Sequence, residues 1–347
     1  MSITIVVFIL IAVLFDFLNG FHDSANIVST MISSRALSPR QALTITALCE
    51  FAGPFLFGVA VATTIGSEVL AMPPDPKDSI PLILAALISA VGWNIFTWYI
   101  GIPSSSSHAL IGGLVGAGLI DSTLRQAAIS LGTMDDVYAI LRVVKVAGLM
   151  KIVIALLLSP LLGFAAGFLV LRIIRFLTRG ATPAVNQVFK RGQVLTAIGL
   201  ALSHGTNDAQ KTMGIITMGL LAMGVIPEFR VPIWVVGLCA AAIAAGTATG
   251  GWRLIKTLGG KFYKIRPVHG LTTQVSSAGV ILGAALLGGP VSTTHVVSSA
   301  IMGTGSAERF SKVRWGVGKQ IVLTWIVTIP ATAIVAALVF CLVRRFL

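Results

Sequence analysis

One polar phrase occurs twice in this chain, each time inside an apolar stretch. Gly20-Phe21-His22-Asp23 recurs as Gly205-Thr206-Asn207-Asp208, and Pro103-Ser104-Ser105-Ser106-Ser107-His108 recurs as Pro290-Val291-Ser292-Thr293-Thr294-His295. The offsets are nearly equal, 185 residues from Asp23 to Asp208 and 187 from His108 to His295. Two independent matches at one spacing describe two copies of a unit about half the chain long. An aspartate, histidine or hydroxyl facing hydrocarbon without a partner is costly, so the repeated motifs are expected to line a shared interior cavity.

The 347 residues are 56% hydrophobic and 11% charged, too few polar side chains to cover the surface of a soluble domain. The chain reads as a polytopic membrane protein, and its 36 glycines suit close helix packing in a bilayer. The formal charge of +13 falls in short loops and forms no aromatic-interleaved stripe, which points to topology signals and contact with membrane lipid, not to nucleic acid. Cys49, Cys239 and Cys341 lack disulfide or metal-type spacing and read as packing residues. The apolar run Ile3 to Leu14 has no basic residue before it, so it reads as a retained helix beginning outside and not as a cleaved leader.

Apolar stretches fall near residues 3–20, 41–70, 80–100, 104–120, 144–172, 194–220, 231–250, 271–288, 290–304 and 316–343. That is ten, five per half, and an odd number per repeat inserts the second copy upside down. Loop charges agree. With the N-terminus outside, Arg35, Arg40, Arg172, Arg175, Arg179, Lys190, Arg191, Arg253, Lys256, Lys261, Lys264, Arg266, Arg309, Lys312, Arg314 and Lys319 lie inside, diluted by Glu308 alone. The opposite loops are mixed: Asp75, Lys77 and Asp78; Asp121, Arg125, Asp135, Asp136, Arg142 and Lys145; Glu228 and Arg230. Arg344 and Arg345 then end outside with the C-terminus, against the trend. The expected fold is an all-α polytopic membrane protein with about ten transmembrane segments, in two inverted-topology repeats with discontinuous helices. Residues 1–179 form the first repeat, 180–192 a basic cytoplasmic linker and 193–347 the second.

Around Asp23 and Asp208, glycine and hydrogen-bonding residues sit within an apolar helix, where a loosened backbone and the oxygens of Asp23, Asn26, Asn207 and Asp208 suit a coupling cation or proton. Ser104, Ser105, Ser106, Ser107, Ser292, Thr293 and Thr294 follow prolines that start helices, so hydroxyls and free N–H groups would make two pockets for an oxyanion. One hydroxyl caps a helix; four in a row exceed that need. Four of the five histidines, His22, His108, His204 and His295, fall in these motifs and read as proton carriers in preference to metal ligands. Lys211 needs an anionic partner at membrane depth: Asp23, Asp208 or the substrate. Asp16 and Glu50 are further relay candidates. No cofactor or resident metal is implied.

At these residues the chain resembles the Pit family of inorganic phosphate transporters. The resemblance spans nearly the whole sequence and rests on the first aspartate motif, on Ser203-His204-Gly205-Thr206-Asn207-Asp208, on Gly246 to Gly259, and on Gly289-Pro290-Val291-Ser292-Thr293-Thr294-His295. It implies phosphate symport with a cation by alternating access, in inverted repeats that commonly assemble as homodimers. The chain departs from the common family motif in having His22-Asp23 in the first copy and Gln210-Lys211 in the second. That combination resembles the proton-coupled bacterial branch, whose members are similar to low-affinity carriers of neutral metal-phosphate. A fixed ammonium at Lys211 can replace a sodium ion by its own charge.

The sequence therefore points to proton-coupled phosphate import across an inner (plasma) membrane. Ser and Thr hydroxyls hold the anion, Lys211 helps, Asp23, Asn26, Asn207, Asp208, His22 and His204 serve the coupling ion, and His108, His295, Glu50 and Asp16 act as relays. The alternatives are a sodium-coupled phosphate symporter and a sulfate permease of the same family. A membrane-embedded hydrolase is disfavoured because no Gly-x-Ser-x-Gly or His-Glu-x-x-His element occurs. A channel is disfavoured by the inverted duplication.

Overall fold

A computed structural model describes residues 3–70, 76–127, 141 and 144–345. Asp75, Asp135, Asp136 and Arg142 lie outside the described residues, as does the side chain of Lys77. The helices are α1 (Ile3–Ser33), α2 (Pro39–Leu56), α3 (Ala60–Glu68), α4 (Pro76–Ile100), α5 (Ser106–Ala127), α6 (Val146–Leu177), α7 (Val185–Ala222), α8 (Ile233–Thr249), α9 (Trp252–Gly260), α10 (Pro267–Leu286), α11 (Thr293–Glu308) and α12 (Trp315–Val343). A short 3₁₀ turn, Phe310–Lys312, precedes α12. Among the described residues there is no β-strand, only an isolated bridge between Leu70 and Val144.

Among the described residues four helices, α1, α4, α6 and α12, are long and apolar enough to cross a bilayer, and up to six spans result if each of two bent pairs is one crossing. The pairs are α2/α3, bent by 73°, and α8/α9, bent by 70°. Local chemistry explains the bends. Pro54 lies in the last turn of α2, Gly58 follows with φ of 80°, and Gly250 ends α8 with φ of 72°. A proline removes a helical hydrogen bond and a left-handed residue ends the helix. The apolar stretch 41–70 is thus two helices, not one. Between the halves, α7 already begins at Val185, so Lys190 and Arg191 stand on its first turns.

The expected discontinuity at the aspartate motifs is not where the breaks fall, because α1 and α7 run unbroken through Asp23 and Asp208. Gly20 and Gly205 serve close approach instead. A Cβ on Gly20 would collide with the carbonyl of Ile243 in α8, and one on Gly205 with the carbonyl of Glu50 in α2. The broken helices can therefore press directly against the motif-bearing ones.

Packing between the halves is reciprocal. α1 packs on α8 as α7 packs on α2, and α5 packs on α12 as α11 packs on α6. α6 and α12 form the periphery, with Leu157, Leu161, Leu169, Leu323, Ile326 and Leu338 exposed. In the interior the order inverts: residues 22–31 of α1 and 203–220 of α7 are buried throughout, polar side chains included. An apolar exterior around a polar interior suits hydrocarbon as solvent.

Candidate substrate and coupling site

The two aspartates meet at the start of α11. Thr293 Oγ1 lies 3.1 Å from Asp23 Oδ2 and 3.0 Å from Asp208 Oδ2. Thr294 Oγ1 donates to Asp23 Oδ1 at 3.0 Å and accepts from Asn26 Nδ2 at 3.0 Å. Sequence reasoning placed the hydroxyls on the substrate and the carboxylates on the coupling ion; the structure joins the two sets in one buried network.

His204 carries that network sideways. Its Nε2 is 3.3 Å from Asp208 Oδ2 and 3.7 Å from Asp23 Oδ2, and its Nδ1 is 2.7 Å from Glu50 Oε1. Glu50 is thereby connected to both aspartates through one imidazole. His22 Nδ1 lies 3.0 Å from Asp23 Oδ1. Lys211, buried to 1% exposure, places Nζ 2.5 Å from Asp208 Oδ1, one helical turn away. Lys211 occupies in the second copy the place of Asn26 in the first, 185 residues earlier. Asp23, His204 and Asp208 present ligand atoms all within 4.8 Å of one another, a set whose chemistry also suits a small cation.

The two hydroxyl clusters abut. Ser105 Oγ accepts from His108 N at 3.1 Å and Ser292 Oγ from His295 N at 3.3 Å, so these two serines cap α5 and α11 equivalently. Each capping hydroxyl keeps its own proton for donation. Ser107 Oγ reaches Val291 O at 3.5 Å, which brings the two helix starts together. Ser104 pairs with Thr97 at 2.8 Å, and Thr97 stands 3.4 Å from His22 Nε2. Ser106 is buried in the first turn of α5.

Four candidates fall elsewhere. Asp16 lies two turns before Asp23, where its Oδ1 accepts from Thr212 Oγ1 at 2.9 Å and Cys239 is its neighbour. His108 and His295 face each other, ring centroids 4.5 Å apart, and His295 stacks on Trp325 at 3.8 Å. Both line a mostly apolar cavity of about 580 Å³ toward α6 and α12, with no hydrogen bond to either aspartate. Asn207 Nδ2 turns to Gly289 O at 3.4 Å, before the second hydroxyl loop.

Sequence reasoning missed three threonines, Thr64, Thr97 and Thr257. Thr64 of α3 donates to Gly288 O at 2.8 Å, and Thr257 of α9 donates to Gly101 O at 3.0 Å. Both glycines are left-handed, with φ of 70° and 72°, and each stands two residues before the proline of a hydroxyl loop. Each short arm of a broken helix is therefore tied to the hydroxyl loop of the opposite half. The duplication carried a signal for them: Thr64 and Thr257 are 193 residues apart, as are Gly53 and Gly246 on the preceding arms. For Thr97, no sequence signal existed.

The chain is similar to known proteins over most of its length. Residues 19–336 match the model of PHO4, the phosphate transporter family. A "probable low-affinity inorganic phosphate transporter" of Bacillus subtilis is 41% identical over 348 residues, covering 98% of each chain. A protein of the same description in Rhizobium meliloti is 44% identical over 335 residues, covering 96% of this chain and 94% of its own. A solved structure described as the sodium-dependent phosphate transporter superposes with a TM-score of 0.86 at 25% identity, over the whole of both chains. With its polar interior, apolar exterior and paired aspartate and hydroxyl motifs, the chain is a multi-pass membrane protein that belongs to the phosphate transporter family.

Proposed function

We propose that the protein imports phosphate by proton symport with alternating access, and that its carboxylates and its substrate compete for the same hydroxyls. The observation that carries this reading is Thr293 Oγ1 lying between Asp23 and Asp208. A hydroxyl has one proton to donate. It satisfies two carboxyl groups only if one of them is protonated and donates back, or if a cation bridges them. Protonation of the pair frees the Thr293 and Thr294 hydroxyls to donate to an oxyanion at the start of α11. Deprotonation draws the hydroxyls back to Asp23 and Asp208 and expels the anion.

Electrostatics demand such a link. Two like charges about 4 Å apart repel by about 4 kcal/mol at an effective dielectric constant of 20. Lys211 offsets Asp208, while Asp23 has His22 and the shared His204. Adding phosphate beside ionised Asp23 and Asp208 is therefore unfavourable until positive charge enters. Lys211 favours the proton as that charge, since its ammonium occupies one side of Asp208 where a sodium ion would stand. Glu50 and His204 form the proton path, and hydrogen phosphate is preferred over sulfate because it can donate to a carboxylate acceptor.

The reciprocal packing of α1 on α8 and α7 on α2 supports two inverted repeats, 1–179 and 193–347, rocking about this site in an inner membrane with both termini outside and a homodimeric assembly. Uptake of labelled phosphate into proteoliposomes tests the reading. An inward proton gradient should drive accumulation with sodium absent. Uptake that requires sodium, with no response to the pH gradient, would replace it by the sodium-coupled reading, which the Asp23, His204 and Asp208 cluster and the sodium-dependent structural relative favour.

A further inference from the structure

At the end of α1, away from the paired aspartates, a cavity of about 640 Å³ is walled by Ser34 and Arg35, by Tyr263, Lys264 and Arg266, and by Arg314. Four cationic side chains line it and no carboxylate does. Glu308, the acid beside it, is already engaged by Arg266, by Arg175 at 2.6 Å, by Lys312 at 3.2 Å and by His269 at 3.1 Å. Among the described residues Arg35, Lys264 and Arg314 have no carboxylate within 4.0 Å, so three like charges share one cavity without compensation. Such a cluster creates a positive potential that attracts an anion.

The walls are built, not loose. Ser34 Oγ donates to Gln193 Oε1 at 2.8 Å, Gln193 Nε2 donates to Pro267 O at 3.1 Å, and Arg314 N donates to Phe262 O at 3.1 Å. Arg35 holds a φ of 57°, a left-handed conformation that side chains other than glycine and asparagine seldom adopt. The volume is that of pockets for small organic ligands, about 300–1,000 Å³, and exceeds what a bare tetrahedral anion fills. Next to Arg314, Trp315 stacks on Phe310 at 4.5 Å, and tryptophan is enriched at the membrane–water interface. Basic pockets between helices at that depth recognise phosphoryl headgroups.

We propose that this cavity is a second anion site, separate from the transport site, that holds the phosphoryl headgroup of an anionic phospholipid. Free phosphate shares the phosphoryl chemistry, and the experiment separates the two sources. The full-length protein in detergent is given phosphatidylglycerol or phosphatidylcholine, and retained lipid is measured by native mass spectrometry. The wild type should retain phosphatidylglycerol preferentially. R35Q combined with K264Q and R314Q should reduce that retention roughly tenfold or more, as loss of three headgroup contacts implies. R179Q, an exposed cation outside the cavity, should retain as much as wild type. All four positions are exposed, and the unchanged melting temperature of each variant without lipid establishes that it is folded. Equal retention by the triple variant overturns the proposal. Inorganic phosphate stabilising the wild type but not the triple variant, with no difference in lipid retention, assigns the cavity to free phosphate and overturns the headgroup assignment.

Discussion

Thr293 is the residue at which Asp23 and Asp208 meet, and under the proposed function its substitution separates substrate binding from coupling. Valine keeps the branched shape but removes the donor shared by Asp23 and Asp208, a loss of about 1.5–3 kcal/mol for a hydrogen bond to a charged group. Thr293→Val should cut phosphate uptake at least about tenfold, as expected from 1.4 kcal/mol per tenfold change, while Thr293→Ser should restore most of it. Initial rates in proteoliposomes at matched protein content decide this, and equal rates for the valine and serine variants would count against the bridge. Lys211 is the second test at this scale. Lys211→Asn removes the charge paired with Asp208 and reproduces the residue of the first copy, Asn26. Proton-driven uptake should be lost or become sodium-dependent, whereas an unaltered response to both gradients would show that the ammonium has no part in coupling.

Among the elements, the broken helices matter most, because each touches a motif-bearing helix with its long arm and a hydroxyl loop with its short one. The long-arm contact depends on Gly20 and Gly205 having no Cβ. Gly205→Ala must push backbone against backbone, so it should destabilise the protein by about 1–3 kcal/mol, the usual cost of overpacking. A lower melting temperature than that of Ser203→Ala, on the same helix, checks it. The short-arm contacts are the bonds from Thr64 to Gly288 and from Thr257 to Gly101. A carrier that opens alternately to each side needs its two hydroxyl loops to be gripped and released in turn. Thr64→Val and Thr257→Val should therefore shift the accessibility of the site in opposite directions, read by labelling a cysteine placed at Ser106. The same shift in both variants would argue that the threonines are simple packing contacts.

Over the whole molecule, the distribution of charge predicts how the fold sits in the membrane. In the proposed orientation, with both termini outside, Arg40 and Arg230 lie on opposite faces, and both side chains are exposed. In a background lacking Cys341, a membrane-impermeant thiol reagent applied to intact cells should label Arg230→Cys and leave Arg40→Cys untouched until the membrane is broken. The reverse pattern would invert the topology and with it the assignment of the basic loops to the cytoplasm.

Membrane character and duplication were written in the sequence, because apolar length and a repeated polar phrase are local, one-dimensional properties. So were the helix starts at the hydroxyl loops, since a proline followed by serine or threonine sets backbone and cap together. Four of the assigned residues, Asp23, Asp208, Thr293 and Thr294, do converge, as their repetition suggested. Which partner each one takes was not legible. The link of His204 to Glu50 joins positions 154 residues apart, and Thr97 reaches His22 only because α4 lies beside α1. The placement of the helix breaks escaped as well, since a glycine reads alike whether it loosens its own helix or admits a neighbour. His108 and His295 share the motif but stand on the face of their helices turned toward Trp325, away from the aspartates. A sequence specifies which groups are present and how they are spaced along one helix; which faces of several helices meet is decided only when they pack, because that depends on the direction of each side chain about its axis.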